Sequence, residues 1–93
     1  MITKNYELGT IKIRIEIADG IAILTTNNFR VTRQMYDGAI KSNKNVKWDI
    51  NSQAMIETYE GKSADEIAVM LDHDFKVAKE EQRKASIYAR SRK

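Results

Sequence analysis

The chain has 93 residues, of which 42% are hydrophobic and 31% are charged, and its formal net charge is +3. A chain of this length accommodates one domain, and its small core leaves little room for a large enclosed active site. The absence of cysteine excludes disulfide bonds and thiolate metal sites, and no apolar run approaches the roughly 20 residues of a membrane-spanning helix.

The first predicted element is a β-strand that begins near residue 11. Apolar β-branched residues alternate there with polar ones, which is the period of a strand with one buried face. The apolar positions are Ile11, Ile13, Ile15 and Ile17, and the polar positions are Lys12, Arg14 and Glu16. The following Ala18-Asp19-Gly20 is typical of a turn, because Gly20 tolerates positive φ, so the sequence predicts a β-hairpin.

The length of the hairpin loop determines which residues of the second strand face the core. A three-residue loop over 18–20 would pair Ile17 with Ile21 and would keep the isoleucines of both strands on one face. A two-residue loop over 19–20 would instead place Ile21 and Ile23 on the polar face. We predict the three-residue loop, because it gives one continuous apolar surface.

The next segment is compatible with two structures at its start. Asn27-Asn28 could turn the chain into a third strand that opens with Phe29, or Asn28 or Thr32 could cap a helix. Apolar residues at helical spacing favour a helix over roughly 33–42. These residues are Met35, Tyr36, Ala39 and Ile40. The alternation of Val46, Trp48 and Ile50 then predicts a short strand.

Two helices are predicted in the last part of the chain. Residues 52–61 are predicted as a short helix, capped by Ser52 and ended by Gly61. The sequence Ser63-Ala-Asp-Glu66 is a capping box, which predicts that a helix begins at Ala64. The expected buried stripe of that helix is Ala64, Ile67, Ala68, Leu71, Phe75 and Ala78. Large apolar residues become scarce after Ala78, so 79–93 is predicted to be a basic helical extension.

These elements predict a single α+β domain over residues 1–93. The expected order is β-β-α-β-α-α, with a small antiparallel hairpin or sheet covered by helices and a long C-terminal helix. The apolar face would carry Ile13, Ile15, Ile17, Ile21 and Ile23.

Residues with catalytic or metal-binding potential do not form a recognisable constellation. Glu60-Gly-Lys-Ser63 matches only the end of a phosphate-binding loop, because the loop requires a glycine at the position of Ile56. Asp72-His73-Asp74 holds the only histidine, but consecutive helical residues point about 100° apart, whereas metal ligands on one helix need a spacing of three or four. We therefore predict a protein that is not an enzyme and that needs no cofactor or metal.

Charge is strongly segregated along the chain. Residues 1–48 carry eight Lys or Arg and four Asp or Glu, residues 49–75 carry one and seven, and residues 76–93 carry seven and two. This pattern could steer a charged partner or pair two copies head to tail. Alternatively, the charges could compensate one another within the fold, with the acidic segment packed against one of the basic segments.

The basic residues are the candidate binding site for a protein or nucleoprotein partner. The candidates are Lys41, Lys44, Lys47, Lys79, Arg83, Lys84, Tyr88, Arg90, Arg92 and Lys93. We expect a small accessory or inhibitor protein, for example an inhibitor of host defence. The alternative is direct nucleic-acid binding by the basic C-terminal helix and the Lys41, Lys44 and Lys47 patch, with Trp48 available for base stacking.

Three further expectations concern context and assembly. Frequent Ile, Lys and Asn are typical of genomes low in G and C, which predicts such a genome, or its phages and mobile elements, as the source. The start of the chain has no apolar core of a secretory signal, so a cytoplasmic protein without a membrane partner is expected. The small residues Ala78, Ala85 and Ala89 would admit a close helix, so the C-terminal helix is predicted to pair with a second copy in a homodimer or with a helix of a partner.

Overall fold

The computed structural model describes the backbone of residues 1–91 and the side chains of residues 1–81, 83 and 84. The elements are β1 (Ile2–Leu8), β2 (Ile11–Ala18), β3 (Ile21–Thr26), α1 (Phe29–Lys41), β4 (Val46–Asp49), β5 (Ala54–Thr58) and α2 (Ala64–Ser91). The five strands form one antiparallel sheet in the order β1-β2-β3-β5-β4, which confirms the α+β class.

One face of the sheet carries the core. Ile13, Ile15 and Ile17 of β2 are at most 2% exposed, as the strand alternation predicts. α2 covers this face with Ile67 and Leu71, which are also buried, and α1 covers the half of the sheet nearer β4. Within the described residues both helices pack on this face, and we call the opposite face the open face.

The predicted register of the β2–β3 hairpin is wrong. Ala18 pairs with Ile21 and Ile17 pairs with Ala22, so the loop consists of the two residues Asp19 and Gly20. Ile21 and Ile23 therefore lie on the open face of the sheet, beside Arg14 and Glu16, and the core side of β3 is filled by Ala22 and Leu24.

Contacts from outside the hairpin hold this register. The backbone N–H of Gly20 donates to the carbonyl of Lys62 over 2.8 Å, and its carbonyl accepts from Tyr59 over 2.8 Å. Gly20 has φ of +77°, which suits a tight turn. The two-residue loop thus places its backbone against the segment that leads into α2, at the expense of a continuous isoleucine surface.

The sheet contains two strands that the sequence patterns did not predict. β1 is an edge strand along β2. The helix predicted for 52–61 is wrong, because Ala54–Thr58 is β5 and pairs with both β3 and β4. Asp49 accepts hydrogen bonds from the Asn51 N–H and the Ser52 hydroxyl, and this local turn folds β5 back along β4.

The predicted helix over 33–42 is confirmed, and it begins four residues earlier, at Phe29. Asn28 is its N-cap, because its side-chain oxygen accepts from the N–H of Arg30 over 3.0 Å. The hydroxyl groups of Thr26 and Thr32 lie 2.8 Å apart and bind the end of β3 to the first turn of α1. The third strand considered for Phe29 is thereby ruled out.

α2 begins at Ala64, as the capping box predicts. The Ser63 hydroxyl oxygen accepts from the N–H of Glu66 over 3.2 Å. A second cap comes from a distant residue, because Asp19 accepts from the N–H of Ala64 over 2.9 Å. The predicted stripe is buried at Ile67, Ala68 and Leu71 and half-buried at Ala64 and Phe75, whereas Ala78 is exposed.

Candidate partner-binding surfaces

The second half of α2, which we call the α2 arm (residues 76–91), is exposed and basic in the part whose side chains the structure describes. Every described side chain in it, over 76–81 and at 83 and 84, is exposed. Four of these side chains are basic, namely Lys76, Lys79, Arg83 and Lys84, and two are acidic, namely Glu80 and Glu81. The first half of α2 has the opposite character, with Asp65, Glu66, Asp72 and Asp74.

The base of the α2 arm is attached to β1 by an aromatic and polar clamp. The rings of Tyr6 and Phe75 stack with centroids 4.2 Å apart. The Tyr6 hydroxyl donates to Asp72, and Lys4 Nζ lies 3.3 Å from Asp72 Oδ2. The pKa of Asp72 is lowered, mainly by the hydrogen bond from Tyr6 and to a smaller extent by Lys4. The pKa of Tyr6 is raised, mainly by burial and also by its hydrogen bond to Asp72. The clamp therefore attaches α2 to β1 immediately before the arm begins.

The structure places part of the predicted C-terminal site on the α2 arm. Lys79, Arg83 and Lys84 are exposed there. The side chains of Tyr88 and Arg90, and the whole of Arg92 and Lys93, lie outside the described residues.

The three lysines predicted as one patch do not share one face of the sheet. Lys41 ends α1 and Lys44 follows it, both on the helix-covered side. Lys47 alternates with the inward Val46 and pairs with Ile56, so it lies on the open face. A spacing of three residues places side chains on one face only in a helix, whereas Lys47 lies in the strand β4.

Trp48 is packed against neighbouring side chains. Its ring lies 5.5 Å from the ring of Tyr36 at an angle of 56°, and the guanidinium of Arg33 lies 5.1 Å from its centroid. Arg33 also lies 5.0 Å from the Tyr36 ring and 3.5 Å from Asp37. Trp48 thus belongs to a half-buried cluster that joins α1 to β4, which reduces its availability for base stacking.

A cleft of about 320 Å³ separates α1 from α2 over the sheet, and we call it the helix cleft. Its apolar lining residues are Leu8, Leu24, Met35, Ala39, Met55, Leu71, Phe75 and Ala78. Its charged and phenolic lining residues are Lys44, Glu57, Tyr59 and Asp74. The cleft is therefore an apolar recess that also holds two carboxylates and one ammonium group.

Glu57 is the buried carboxylate of the helix cleft. It is 8% exposed, and it accepts a hydrogen bond from the Tyr59 hydroxyl. Lys44 Nζ lies 3.9 Å from its other oxygen. The pKa of Tyr59 is raised, mainly by burial. The hydrogen bond to Glu57 and the negative charges of Glu57 and Asp74 raise it further. The sequence prediction missed this residue, because the supposed helix over 52–61 gave no indication that Glu57 faces the core.

The Asp72-His73-Asp74 segment diverges as its helical geometry predicts. Asp72 binds Tyr6, Asp74 lines the helix cleft, and His73 is exposed. Within the described part of the chain, no group of three or more His, Asp or Glu side chains is arranged to hold a metal ion.

No protein-family model, curated protein or solved structure matches this chain. Within the part of the chain that the structure describes, no helix is long and apolar enough to cross a membrane.

Proposed function

We propose that this protein is a small, non-enzymatic binding protein whose α2 arm docks on an acidic surface of a partner protein. The observation that carries this proposal is the exposure of the arm: its described side chains are all exposed, and the basic ones outnumber the acidic ones. Opposite charges on a partner would steer the encounter and fix its orientation.

Helix energetics support an intermolecular role for the arm. α2 has 28 residues, which corresponds to a length of about 42 Å, and the longest dimension of the protein is 47 Å. Among the described residues of α2, packing on the body extends to Phe75 and to Ala78 at the edge of the helix cleft. A helix without tertiary packing is marginally stable in water, so a partner surface that packs on the exposed side chains of the arm would stabilise the arm as well as bind it.

The positions of two side chains in the body favour a protein over a nucleic acid as the partner. Lys47 is on the opposite side of the sheet from Lys41 and Lys44, and Trp48 packs against Tyr36 and Arg33. The body therefore offers no continuous basic track, in its described part, that would extend the arm along a phosphate backbone. An accessory or inhibitor role, and a phage or mobile-element source, stay predictions.

A charge-reversal experiment with a matched control tests the proposal. The arm variant carries Arg83→Glu and Lys84→Glu, and the control carries Lys12→Glu and Lys62→Glu, two exposed basic residues outside the arm. Both change the net charge equally. Pull-downs from lysate of a low-G+C bacterium, with and without nuclease, should retain the same protein partner for the parent and the control and lose it for the arm variant.

Nucleic-acid binding would give a different result in the same experiment. All partners would be lost after nuclease treatment, and log affinity for bare DNA or RNA would fall linearly with log salt, by about 0.9 per duplex phosphate contacted. Equal retention by the arm variant and the control would contradict a role for the arm. Loss of biological activity in a folded His73→Ala variant would contradict the non-enzymatic assignment, because His73 is the only histidine of the chain.

A further inference from the structure

The helix cleft contains a buried carboxylate whose charge is only partly compensated. Among the described residues Glu57 receives one side-chain hydrogen bond, from the Tyr59 hydroxyl. Lys44 Nζ, at 3.9 Å, is beyond hydrogen-bond distance, and its side chain is 57% exposed. Burial of a carboxylate is costly unless good geometry and further hydrogen bonds offset it. Glu57 therefore has capacity for a further donor that carries positive charge.

The surroundings of Glu57 define the shape and polarity of such a donor. Leu24, Met35, Met55 and Leu71 give the helix cleft apolar walls, against which the methylene groups of a long side chain can pack. Asp74 adds a second carboxylate to the lining, so the acidic groups outnumber the single ammonium group of Lys44. A volume of about 320 Å³ lies at the lower end of the range for ligand pockets, and suits one side chain.

We propose that the helix cleft binds an arginine side chain of a partner protein, with the guanidinium on Glu57 and the aliphatic stem against Met35 and Met55. The charge of the cleft selects a cation, and its apolar walls select a cation with an aliphatic stem. Arginine fits better than lysine, because its planar guanidinium donates in several directions and is more weakly hydrated than an ammonium group. This site shares only Ala78 with the α2 arm and uses none of the basic side chains of the arm.

Methionine methyl NMR provides a direct assay. Met35 and Met55 line the helix cleft, whereas Met1 and Met70 lie outside it and act as internal controls. The probe is a capped Leu-Arg-Leu tripeptide, and its matched control replaces arginine with citrulline, which has the same shape without the charge. We expect saturable shifts of the two cleft methyl groups with the arginine peptide and at least about tenfold weaker binding of the citrulline peptide.

Substitutions in the protein separate the charge effect from a structural one. Glu57→Gln keeps an acceptor for Tyr59 and should lower the affinity for the arginine peptide at least about tenfold. Glu60→Gln, at an exposed position outside the cleft, should change it less than about twofold. Lys44→Gln removes the competing ammonium group and should raise affinity about two- to fivefold.

Several results would overturn the assignment. These are equal binding of the citrulline peptide, shifts of similar size at Met1 and Met70, and an unchanged affinity in Glu57→Gln. If Glu57→Gln unfolds, the Lys44→Gln variant decides, because a lower or unchanged affinity contradicts the proposal. The arm variant with Arg83→Glu and Lys84→Glu should bind the tripeptide like the parent, so failure of arm docking leaves this result intact.

Discussion

The rings of Tyr6 and Phe75 are nearly parallel, with an angle of 9° between their planes and 4.2 Å between their centroids. One ring belongs to the edge strand β1 and the other to α2, where Phe75 is the last described residue of the helix that packs against the core. The stack is joined by the hydrogen bond from Tyr6 to Asp72 one turn earlier on α2. This clamp connects the body of the protein to the exposed arm.

Removal of the aromatic clamp should destabilise the protein measurably. Phe75→Ala should lower the free energy of unfolding by about 2 kcal/mol, which is less than the loss for a fully buried phenylalanine because Phe75 is half-buried. Val77→Ala, at an exposed position on the same helix, should lower it by less than about 0.5 kcal/mol. Urea denaturation measures both values, and equal effects would show that the clamp contributes no stability.

The two faces of the sheet should respond differently to the same substitution. Ile15→Thr should cost about 3 kcal/mol, because it removes apolar contacts and buries a hydroxyl at a position that is 1% exposed. Ile23→Thr, on the open face, should cost about 1 kcal/mol or less. Ile15→Asp should prevent stable folding. Equal destabilisation by the two threonine variants would contradict the register of the β2–β3 hairpin.

Stability should decline at alkaline pH through Tyr59. Because burial and Glu57 raise its pKa in the folded state, the unfolded chain, with a tyrosine pKa of about 10, loses the proton first. The contribution is complete below pH of about 10 and is lost as pH rises above that value. Denaturation between pH 8 and 11 should show this loss, and Tyr59→Phe should reduce the slope. An unchanged slope in Tyr59→Phe would assign the alkaline loss to other groups.

The fold should not depend on the end of the α2 arm. Deletion of residues 83–93 should change the free energy of unfolding by less than about 1 kcal/mol, because the core of the described structure lies in the preceding residues. Thermal melting followed by circular dichroism measures this. A large loss of stability would indicate that the end of the arm packs on the body.

Homodimerisation through α2 stays a prediction, and light scattering over a concentration series tests it. The acidic first half and the basic second half of α2 are complementary when two copies pair antiparallel, and Val69 and Val77 are exposed on this helix. The measured mass should rise from 10.7 kDa towards twice that value. Val69→Lys with Val77→Lys should abolish the rise, whereas Ile40→Lys, on α1, should not. A monomer at every concentration would exclude the dimer.

Short-range patterns in the sequence were sufficient for several elements. The alternation of Ile13, Ile15 and Ile17 predicted a strand and its buried face, and Ser63 with Glu66 predicted the first residue of α2. In both cases the interactions that decide the structure lie within a few residues of each other. The exposure of the described side chains of the α2 arm was also predictable, since large apolar residues become scarce after Ala78.

The tertiary structure decided the features that depend on distant residues. The hairpin register depends on contacts of Gly20 with Tyr59 and Lys62, and β5 is a strand because β3 and β4 offer hydrogen-bonding partners on both of its edges. Glu57 is buried only because β5 lies between those strands, with Glu57 on the face of the sheet that the helices cover. Its spacing from Lys44 along the chain carries no sign of their proximity, since side chains 13 positions apart meet only after the sheet has formed.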